Sequence, residues 1–294
     1  MDGRKIFVIW NPFAGGDAKT LCEKLSVRLK ELKIAHHVFD TVKSMSATKA
    51  VSDSLDESFT DLIIVGGDGT INESINGLKY DIPVGIVPAG TGDDFIKNVS
   101  IGKSTSERIQ TAIDGEIMRV DLGQCNERKF VNGVGIGFDG QIVEDMTSKR
   151  IGFLKGHAAY YYHVLRILGG YKERTFSFSL DGKAHKKDLI LLAIGNGTTF
   201  GGGFKLMPRS KVNDGKLDIC EIGALSPFRR FLNISKLSNG THGSLKEVEF
   251  HQVNEITVEA NDTLFAHIDG EQIGKPPFKV KILPNALQLR VISS

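Results

Sequence analysis

The pattern of apolar positions in this sequence changes at about residue 120. In the first part, short apolar runs alternate with segments in which apolar residues recur every three or four positions, which indicates strands alternating with helices. The predicted strands are KIFVIW (5–10), HHVFDT (36–41), DLIIVG (61–66) and PVGIVP (83–88). The predicted helices begin after Gly16, at Ser46 as an N-cap, at Thr70 and at Ser104. This order predicts a mostly parallel sheet with crossover helices.

After residue 120 most apolar runs are strand-like, and several alternate with period two, as expected for antiparallel sheets with one wet face. The predicted strands are KFVNGVGIG, RTFSFSL, DLILLAIGNG, LDICEI, EVEFHQV, EITVEA, TLFAHID, FKVKIL and LQLRVI. Two helical inserts are expected, at about 153–168 and within 226–240. We therefore expect an α/β domain at 1–123 and a β-sandwich at 124–285, with the option that about 286–294 returns to the first domain.

Composition places the chain among ordinary globular proteins, with 294 residues, 40% hydrophobic, 24% charged and a net charge of +2. This charge gives no bias toward nucleic acid. Cys22, Cys125 and Cys220 are far apart, which argues against a disulfide framework or a zinc site. No run of about 18 apolar residues exists, so we expect no membrane span and a cytoplasmic location.

The segment LIIVGGDGTINE (62–73) carries the most specific chemistry, because a buried strand ends in three glycines around Asp68. Glycine lets a ligand approach the backbone, and the helix that follows favours phosphate at its N-terminus. Asp68 would repel that phosphate unless Mg²⁺ lies between them. The loop thus predicts a nucleotide–Mg²⁺ site; the alternative is a glycine-rich turn whose aspartate caps the helix.

Two further glycine-rich loops follow strands of the same predicted sheet, NPFAGG (11–16) and PAGTGDDF (88–95). Three such loops at the carboxyl ends of parallel strands converge on one crevice, which favours the ligand site over simple turns. The segment GIGFDG (135–140) matches G-x-G-x-x-G, but we expect no helix to open there and hence no dinucleotide site.

These loops, in this order and spacing, resemble the diacylglycerol kinase catalytic-domain family, which includes sphingosine and ceramide kinases. The second half agrees, with FVNGVGIGFDG, GNGTTFGGGFKLMPRSKVNDGKLDI and HIDGEQ. The resemblance implies an α/β domain like those of NAD kinases and phosphofructokinases, a C-terminal antiparallel β-sandwich, and ATP in the cleft between them. It also implies an ATP- and Mg²⁺-dependent kinase that phosphorylates a lipid hydroxyl such as that of diacylglycerol.

The resemblance also implies site residues. The nucleotide-binding positions are Asn11, Thr41, Gly66, Gly67, Asp68, Gly69, Thr70, Ile71, Asn72 and Thr91. Asp68 and Asp94 match carboxylates of the catalytic Mg²⁺ network, and Asp269 or Glu271 matches the base. Lys211, Asp214 and Lys216 match a structural metal loop. The chain departs from the family at Asp93, where Asn is usual, and this adds a negative charge beside the phosphate site.

Several alternatives stay open on the residues alone. Asp269 in a D-G pair is typical of a hairpin turn, and Asp214 in NDGK has the same alternative. The segment 152–170 either lines an acyl-chain pocket or packs on the sandwich, and packing is favoured. Arg229 and Arg230 indicate either a membrane contact or a solvated basic turn, and the turn is favoured. His157, His163, His251 and His267 are expected to be structural.

The expected partners are a lipid substrate and, transiently, the inner face of the membrane, with no nucleic acid; an oligomer is left open. The rival functions are an NAD kinase-like activity, because GGDG occurs there too, and a nucleotide-binding protein without catalysis.

Overall fold

A computed structural model describes residues 3–14, 17–41, 45–149 and 156–292 of the chain. They form two compact units, one made of Met1–Val120 with Asn285–Ser294 and the other of Asp121–Pro284. Within the described residues no helix is long and apolar enough to cross a membrane.

The first unit is a parallel sheet with helices between its strands, as the sequence pattern predicts. Its elements are β1 (Lys5–Trp10), α1 (Ala18–Glu31), β2 (Ala35–Asp40), α2 (Ala47–Ser54), β3 (Asp61–Gly66), α3 (Asp68–Gly77), β4 (Val84–Pro88), a 3₁₀ turn (Phe95–Asn98) and α4 (Thr105–Asp114). The predicted cap at Ser46 is present, because its side chain accepts the Lys49 N–H at 3.4 Å. Ser104 and Glu107 form a capping box at the start of α4.

The strand order of this sheet creates a switch point between β1 and β3. The order is β2-β1-β3-β4, and all neighbours are parallel. From β1 the chain crosses to β2 on one side and later returns to β3 on the other side. The loops that follow β1 and β3 therefore lead in opposite directions, and such a point is where open parallel sheets bind ligands.

The C-terminal strand completes the first unit through a buried ion-pair cluster. Its residue Leu289 lies opposite Val84 in β4, in parallel. Nearby, Asp61 is 2% exposed and accepts hydrogen bonds from both Arg4 and Arg290. Burial alone would raise the pKa of Asp61, but the bonds from Arg4, Thr60 and Arg290 outweigh it and hold the pKa below its usual range.

The second unit is built from antiparallel strands with three helices. Its elements are β5 (Glu116–Cys125, which enters from the first unit), β6 (Arg128–Phe130), β7 (Gly133–Gly137), α5 (Phe138–Ser148), α6 (Gly156–Leu168), β8 (Arg174–Leu180), β9 (Lys183–Gly195), β10 (Leu217–Gly223), α7 (Pro227–Asn239), a 3₁₀ turn (His242–Ser244), β11 (Val248–Val253), β12 (Glu255–Val258), β13 (Ala266–Ile268), β14 (Glu271–Gly274) and β15 (Phe278–Val291, the C-terminal strand). The long strand β9 pairs with β7, β8 and β10. This is the sandwich that period-two alternation predicts.

Each face of β10 contributes to a different core. Leu217 and Ile219 face the sandwich core together with Phe176 and Phe178 of β8. Cys220 and Ile222 point the opposite way, into a second core that contains residues of the helices. The alternation follows from the pleat, since successive side chains of a strand point to opposite faces. The three cysteines are free and buried, which agrees with the absence of a disulfide framework.

Several sequence predictions are wrong in detail. A helix does open at GIGFDG, because α5 begins at Phe138 directly after β7. The strand before it is antiparallel to both of its neighbours, β9 and β13, so the parallel βαβ unit of a dinucleotide site is still not formed there. The strand β14 was not predicted, and the two C-terminal strands are one strand. The first residues of the expected insert at 153–168 lie outside the described residues, and α6 covers the rest.

Neither interpretation of Arg230 is correct. This residue lies in α7 and is buried, and its guanidinium donates to the carbonyls of Leu225, Leu168 and Tyr171. Its neighbour Arg229 binds Glu247. Arg230 thus joins α7 to the chain that leaves α6.

We predict that Asp61→Asn destabilises the protein by about 1.5–3 kcal/mol at pH 7, because it removes the charge partner of the part-buried Arg290 and leaves Arg4 with Asp114 alone. Urea unfolding measures this change. Since the folded-state pKa of Asp61 is lowered, its contribution is present above the unfolded pKa of about 3.9 and is lost as the pH falls through the folded value. The difference between wild type and variant should therefore shrink in acid.

The matched control is Asp81→Asn, which removes the exposed ion pair with Arg119. Exposed pairs contribute little, so this variant should unfold like the wild type. Equal losses of stability in the two variants would show that the buried cluster has no special role.

Candidate active site

The helix α3 begins at Asp68, two residues earlier than the sequence predicts. Gly67 is its extended N-cap residue, and Asp68 lies in its first turn. The first N–H groups of a helix have no partner within the helix, and its dipole places positive potential there. The GGDG loop therefore presents backbone donors at the end of β3, beside the switch point of the sheet.

The glycines of this loop and of the loop after β4 are in backbone contact. A Cβ placed on Gly90 would lie 2.6 Å from the Cα of Gly67, which no side chain tolerates. A Cβ on Gly66 would lie 2.6 Å from the Thr70 side chain. By contrast, a Cβ on Gly69 would meet nothing within 4 Å. Gly67 and Gly90 are required by packing, and Gly69 leaves open space at the helix start.

Three carboxylates gather where these two loops meet. Asp68 accepts the backbone N–H groups of Asp94 and Phe95, each at 3.1 Å, and Asp94 binds Lys97 at 2.7 Å. Asp93 has a φ of +50°, and its Oδ1 is buried without a hydrogen-bond partner in the described part of the chain. Burial is the main cause that raises the pKa values of Asp68 and Asp93; Asp94 adds to the rise for Asp68, and Asp68 adds to it for Asp93.

The other predicted nucleotide positions border the same loops. The Asn11 side chain donates to the Thr70 hydroxyl at 3.3 Å and accepts the Phe13 N–H at 2.8 Å, so it connects the loop after β1 to α3. Thr41 follows β2 and is buried, whereas Thr91 is exposed. Ile71 and Asn72 are also buried, and the Ile71 side chain belongs to the core. Gly15 and Gly16 lie outside the described residues.

In the second unit, Asp269 is the turn residue of a D-G hairpin between β13 and β14, with positive φ at Asp269 and Gly270. Its carboxylate also accepts the backbone N–H groups of Val131, Asn132 and Gly133 at 2.8–3.0 Å. Asp269 therefore forms the turn, as the alternative interpretation expects, and also fixes that turn to the loop between β6 and β7; its role as the base stays a prediction.

The second base candidate, Glu271, is the first residue of β14. It is half-exposed and pairs with Arg128. Both residues of this pair are accessible to solvent, so the Glu271 carboxylate has more freedom to move than the Asp269 carboxylate.

A buried pair supports this hairpin from behind. His267 Nε2 lies 2.8 Å from Asp139, and the Tyr160 hydroxyl donates to the same carboxylate at 2.7 Å. The Gly270 N–H donates to His267 Nδ1, which requires Nδ1 to carry no proton. The imidazole in this geometry is therefore neutral, with its proton on Nε2 facing Asp139. Burial opposes charge in both groups, but the Asp139–His267 interaction outweighs it, which lowers the pKa of Asp139 and raises that of His267.

In the predicted metal loop, one carboxylate is exposed and a second, buried one lies nearby. Asp214 is exposed, and its carboxylate accepts the Lys216 N–H at 3.1 Å. The neighbouring Asp218 is buried, and its Oδ2 has no hydrogen-bond partner among the described residues. Burial is the first cause that raises the pKa of Asp218, and the nearby Asp214 adds to it. Lys211 is exposed, and the proposed use of its carbonyl as a metal ligand stays a prediction.

The three helices of the second unit enclose an apolar cavity. Six of the side chains that line it are Ile142, Val164, Leu168, Ile222, Ile234 and Leu237. Asp139 and Tyr160 also border this cavity. The buried pair behind the hairpin therefore adjoins an apolar space in the same unit.

Comparison with known proteins gives two family matches that together span nearly the whole chain. The Diacylglycerol kinase catalytic domain matches residues 5–125, and the YegS C-terminal NAD kinase beta sandwich-like domain matches 132–291. A diacylglycerol kinase of Staphylococcus saprophyticus is 30% identical over 92% of this chain and 90% of its own length. This chain belongs to the diacylglycerol kinase family. The diacylglycerol kinase of Bacillus subtilis is 27% identical over the same shares of both chains.

Solved structures agree on the fold of this family member. A diacylglycerol kinase from Bacillus anthracis has a TM-score of 0.74 at 22% identity, covering 98% of this chain and 97% of that one. An NAD kinase from Archaeoglobus fulgidus in complex with ATP has a TM-score of 0.53 at 14% identity, covering 98% and 93%. At these identities the likeness shows the fold alone.

Sequence reasoning missed three members of the site. Asp139 and His267 are separated by 128 residues, so no local spacing could connect them. Arg128, the partner of Glu271, is 143 residues away from it. A signal for Asp139 existed in GIGFDG, but that motif was evaluated only as a dinucleotide loop.

We predict that Gly90→Ala destabilises this diacylglycerol kinase family member by about 1–3 kcal/mol, because the new methyl group meets the backbone of Gly67. Gly69→Ala is the matched control: it adds the same group at a position with open space and should change the free energy of unfolding little. Urea unfolding of both variants measures this difference. Equal effects would contradict the close contact of the two loops.

Proposed function

We propose that this protein transfers the γ-phosphoryl group of ATP to a hydroxyl group of a lipid such as diacylglycerol, with Mg²⁺ as cofactor. The observation that carries the proposal is the group of Asp68, Asp93 and Asp94 beside the first turn of α3. A helix start binds phosphate, and carboxylates hold the cation that phosphate requires. Phosphoryl transfer depends mainly on such positioning and charge neutralisation.

One observation shows that the residues present fit Mg²⁺. The Oδ1 atom of Asp93 is buried and makes no hydrogen bond within the described residues. A buried carboxylate oxygen without a partner is costly unless a cation or water satisfies it. Asp68 and Asp93 would hold the ion directly or through water, and Asp94 would contribute from its pair with Lys97. When bound, the ion would neutralise charge on the phosphates. The aspartate in place of the usual asparagine would make ATP binding more dependent on this ion.

We assign the base to Glu271 rather than Asp269. The Asp269 carboxylate already accepts three backbone N–H groups, which fixes its orientation and occupies its oxygens. Glu271 is half-exposed and pairs with the partly exposed Arg128, so its carboxylate can turn toward a hydroxyl group. Asp269 then acts as the residue that positions the hairpin.

The lipid acceptor is supported by the apolar cavity of the second unit. Its walls are mostly aliphatic and aromatic, and its volume of about 70 Å³ would have to grow by movement of the helices to admit an acyl chain. Its polar side chains include Asp139 and Tyr160, which suit the hydroxyl-bearing end of a lipid, together with Arg230, Asn233 and His242.

The predicted structural metal is supported by the orphan Oδ2 of Asp218 beside the loop. Asp214 would bind the ion by its side chain and Lys211 and Lys216 by their carbonyls. The ion would offset the repulsion between the Asp214 and Asp218 carboxylates and hold the loop to β10.

Transfer of label from ATP tests the activity. Purified protein, γ-labelled ATP and Mg²⁺ are incubated with micelles that contain dioleoylglycerol, and separately with NAD. We expect label in the lipid, and we expect Glu271→Gln to lower kcat by about 10²–10⁴-fold through loss of the base. The matched control is Glu259→Gln, an exposed glutamate that follows β12 and lies outside the hairpin, which should keep wild-type kcat.

Three results would contradict parts of the proposal. Label only in NAD would indicate a small-molecule kinase. ATP binding without transfer to any acceptor would indicate a binding protein. A Glu271→Gln variant with wild-type kcat would exclude Glu271 as the base while leaving the activity established.

We also propose peripheral contact with the inner face of the membrane through α6 and α7. Phe228 and Leu232 on α7 are 72% and 61% exposed, and Leu165 on α6 is also exposed. The same two helices line the apolar cavity, so a lipid that enters between them would leave the bilayer directly. Exposed apolar side chains on such helices bind the interface by burial among the headgroups.

We predict that Phe228→Ser together with Leu232→Ser reduces sedimentation with vesicles of phosphatidylglycerol and diacylglycerol by at least about tenfold, because two large apolar groups no longer enter the bilayer. The control is Val27→Ser, which removes an exposed apolar residue of α1 and should leave sedimentation unchanged. Unchanged sedimentation of the double variant would place the membrane contact elsewhere.

A further inference from the structure

The strands β10 and β11 bring together three side chains that the sequence does not connect. Glu221 lies opposite Glu249, and His251 lies opposite Ile219 in the same antiparallel pair. Glu221 points to the same side as Leu217 and Ile219, toward the sandwich core, and is 1% exposed. A glutamate in this position is expensive unless its charge and both of its oxygens are satisfied.

Only one of the two oxygens of Glu221 is satisfied by the described residues. Lys187 of β9 donates to Oε2 at 2.6 Å and also to Glu249 Oε2 at 2.9 Å. Oε1 is buried and makes no hydrogen bond, and the same is true of His251 Nε2. These two atoms are 3.2 Å apart, yet they are not in hydrogen-bonding geometry. Two buried atoms that can each act as a ligand thus lie side by side and do not satisfy each other.

We propose that Glu221, Glu249 and His251 bind one divalent metal ion of the zinc type. One ligand atom of each residue lies within 4.8 Å of the other two. A tetrahedral ion with bonds of about 2.1 Å needs its ligands about 3.4 Å apart, so shifts of about 1 Å suffice. Glu249 and His251 are partly exposed and can make these shifts, and water completes the coordination.

The ligand types select the class of metal. Imidazole with carboxylates suits zinc and its first-row neighbours, whereas Mg²⁺ and Ca²⁺ prefer sites made of oxygen alone. The site therefore differs in chemistry from the carboxylate group at Asp68 and from the loop at Asp214, which both offer oxygen ligands. By joining β10 to β11, the ion would stabilise the sandwich independently of phosphoryl transfer.

Lys187 sets the affinity of this site. In the metal-free protein its ammonium group neutralises both glutamates. A metal ion competes with it for Glu249 and is repelled by its charge. Removal of the ammonium group should therefore strengthen metal binding, whereas removal of the imidazole should weaken it. If these residues form only an ion-pair cluster and bind no metal, loss of the His251 imidazole should not change zinc binding.

The experiment is calorimetric titration of the full-length, chelator-treated protein with zinc chloride, in excess MgCl₂ to saturate sites made of oxygen ligands. We expect one equivalent of zinc to bind at this site. His251→Gln should weaken binding by at least about tenfold, as loss of a metal ligand does. Lys187→Met should strengthen it severalfold. The matched control is His37→Gln, an exposed histidine of β2, which should bind zinc as the wild type does.

Thermal unfolding provides a second readout, since a ligand that binds the folded state raises Tm. Zinc should raise the Tm of the wild type and of His37→Gln, but not that of His251→Gln. The proposal is overturned if the wild type takes up no zinc, or if His251→Gln binds zinc as tightly as the wild type. If Lys187→Met does not fold, the comparison of His251→Gln with His37→Gln still shows whether zinc binding requires His251.

Discussion

The candidate nucleotide site depends on the way in which Asp68 holds the loop after β4. Both carboxylate oxygens of this residue receive backbone N–H groups, one from Asp94 and one from Phe95. Because Gly67 and Gly90 carry no side chains, the two loops approach closely enough for these bonds to form. The same bonds determine where Asp93 and Asp94 lie. The hydrogen bonds from Asp68 to the loop after β4 therefore determine how the carboxylates, the backbone donors and the open space at Gly69 are arranged.

The second unit uses the same device at Asp269. A carboxylate on one loop accepts the N–H groups of another loop, and these hydrogen bonds fix the turn that precedes the candidate base Glu271. The turn is further held by His267 and Asp139, which pair inside the unit. In both units the carboxylate of one aspartate positions the residues near it. Asp68 positions Asp93 and Asp94, and Asp269 positions the turn that leads to Glu271.

The sequence predicts the first half of the fold well because its strands are continuous apolar runs and its helices carry recognisable caps, as at Ser46 and Ser104. It fails at α5, where glycines surround the start of the helix and obscure its period. Local spacing also cannot reveal contacts made across strands. Asp139 with His267 and Glu221 with His251 meet only because antiparallel pairing places distant segments side by side. On the sequence alone His251 is expected to be structural, and the resemblance to a family rests on loop motifs that do not include this residue.

Among the described residues, buried and half-buried carboxylates mostly have their charge and oxygens satisfied, and the exceptions are informative. Asp61 is satisfied by two arginines, Asp139 by a histidine and a tyrosine, and Asp269 by three backbone N–H groups. Among the described residues, buried carboxylate oxygens without a hydrogen-bond partner occur at Asp93, Asp218 and Glu221. Each of the three lies beside a second carboxylate, at Asp68, Asp214 and Glu249 respectively. An unpaired acceptor next to a like charge is unfavourable in a protein interior unless a cation is bound there. These are the three places where we propose a cation, and the family resemblance indicates two of them; at the third, Lys187 already pairs with both glutamates in the metal-free protein.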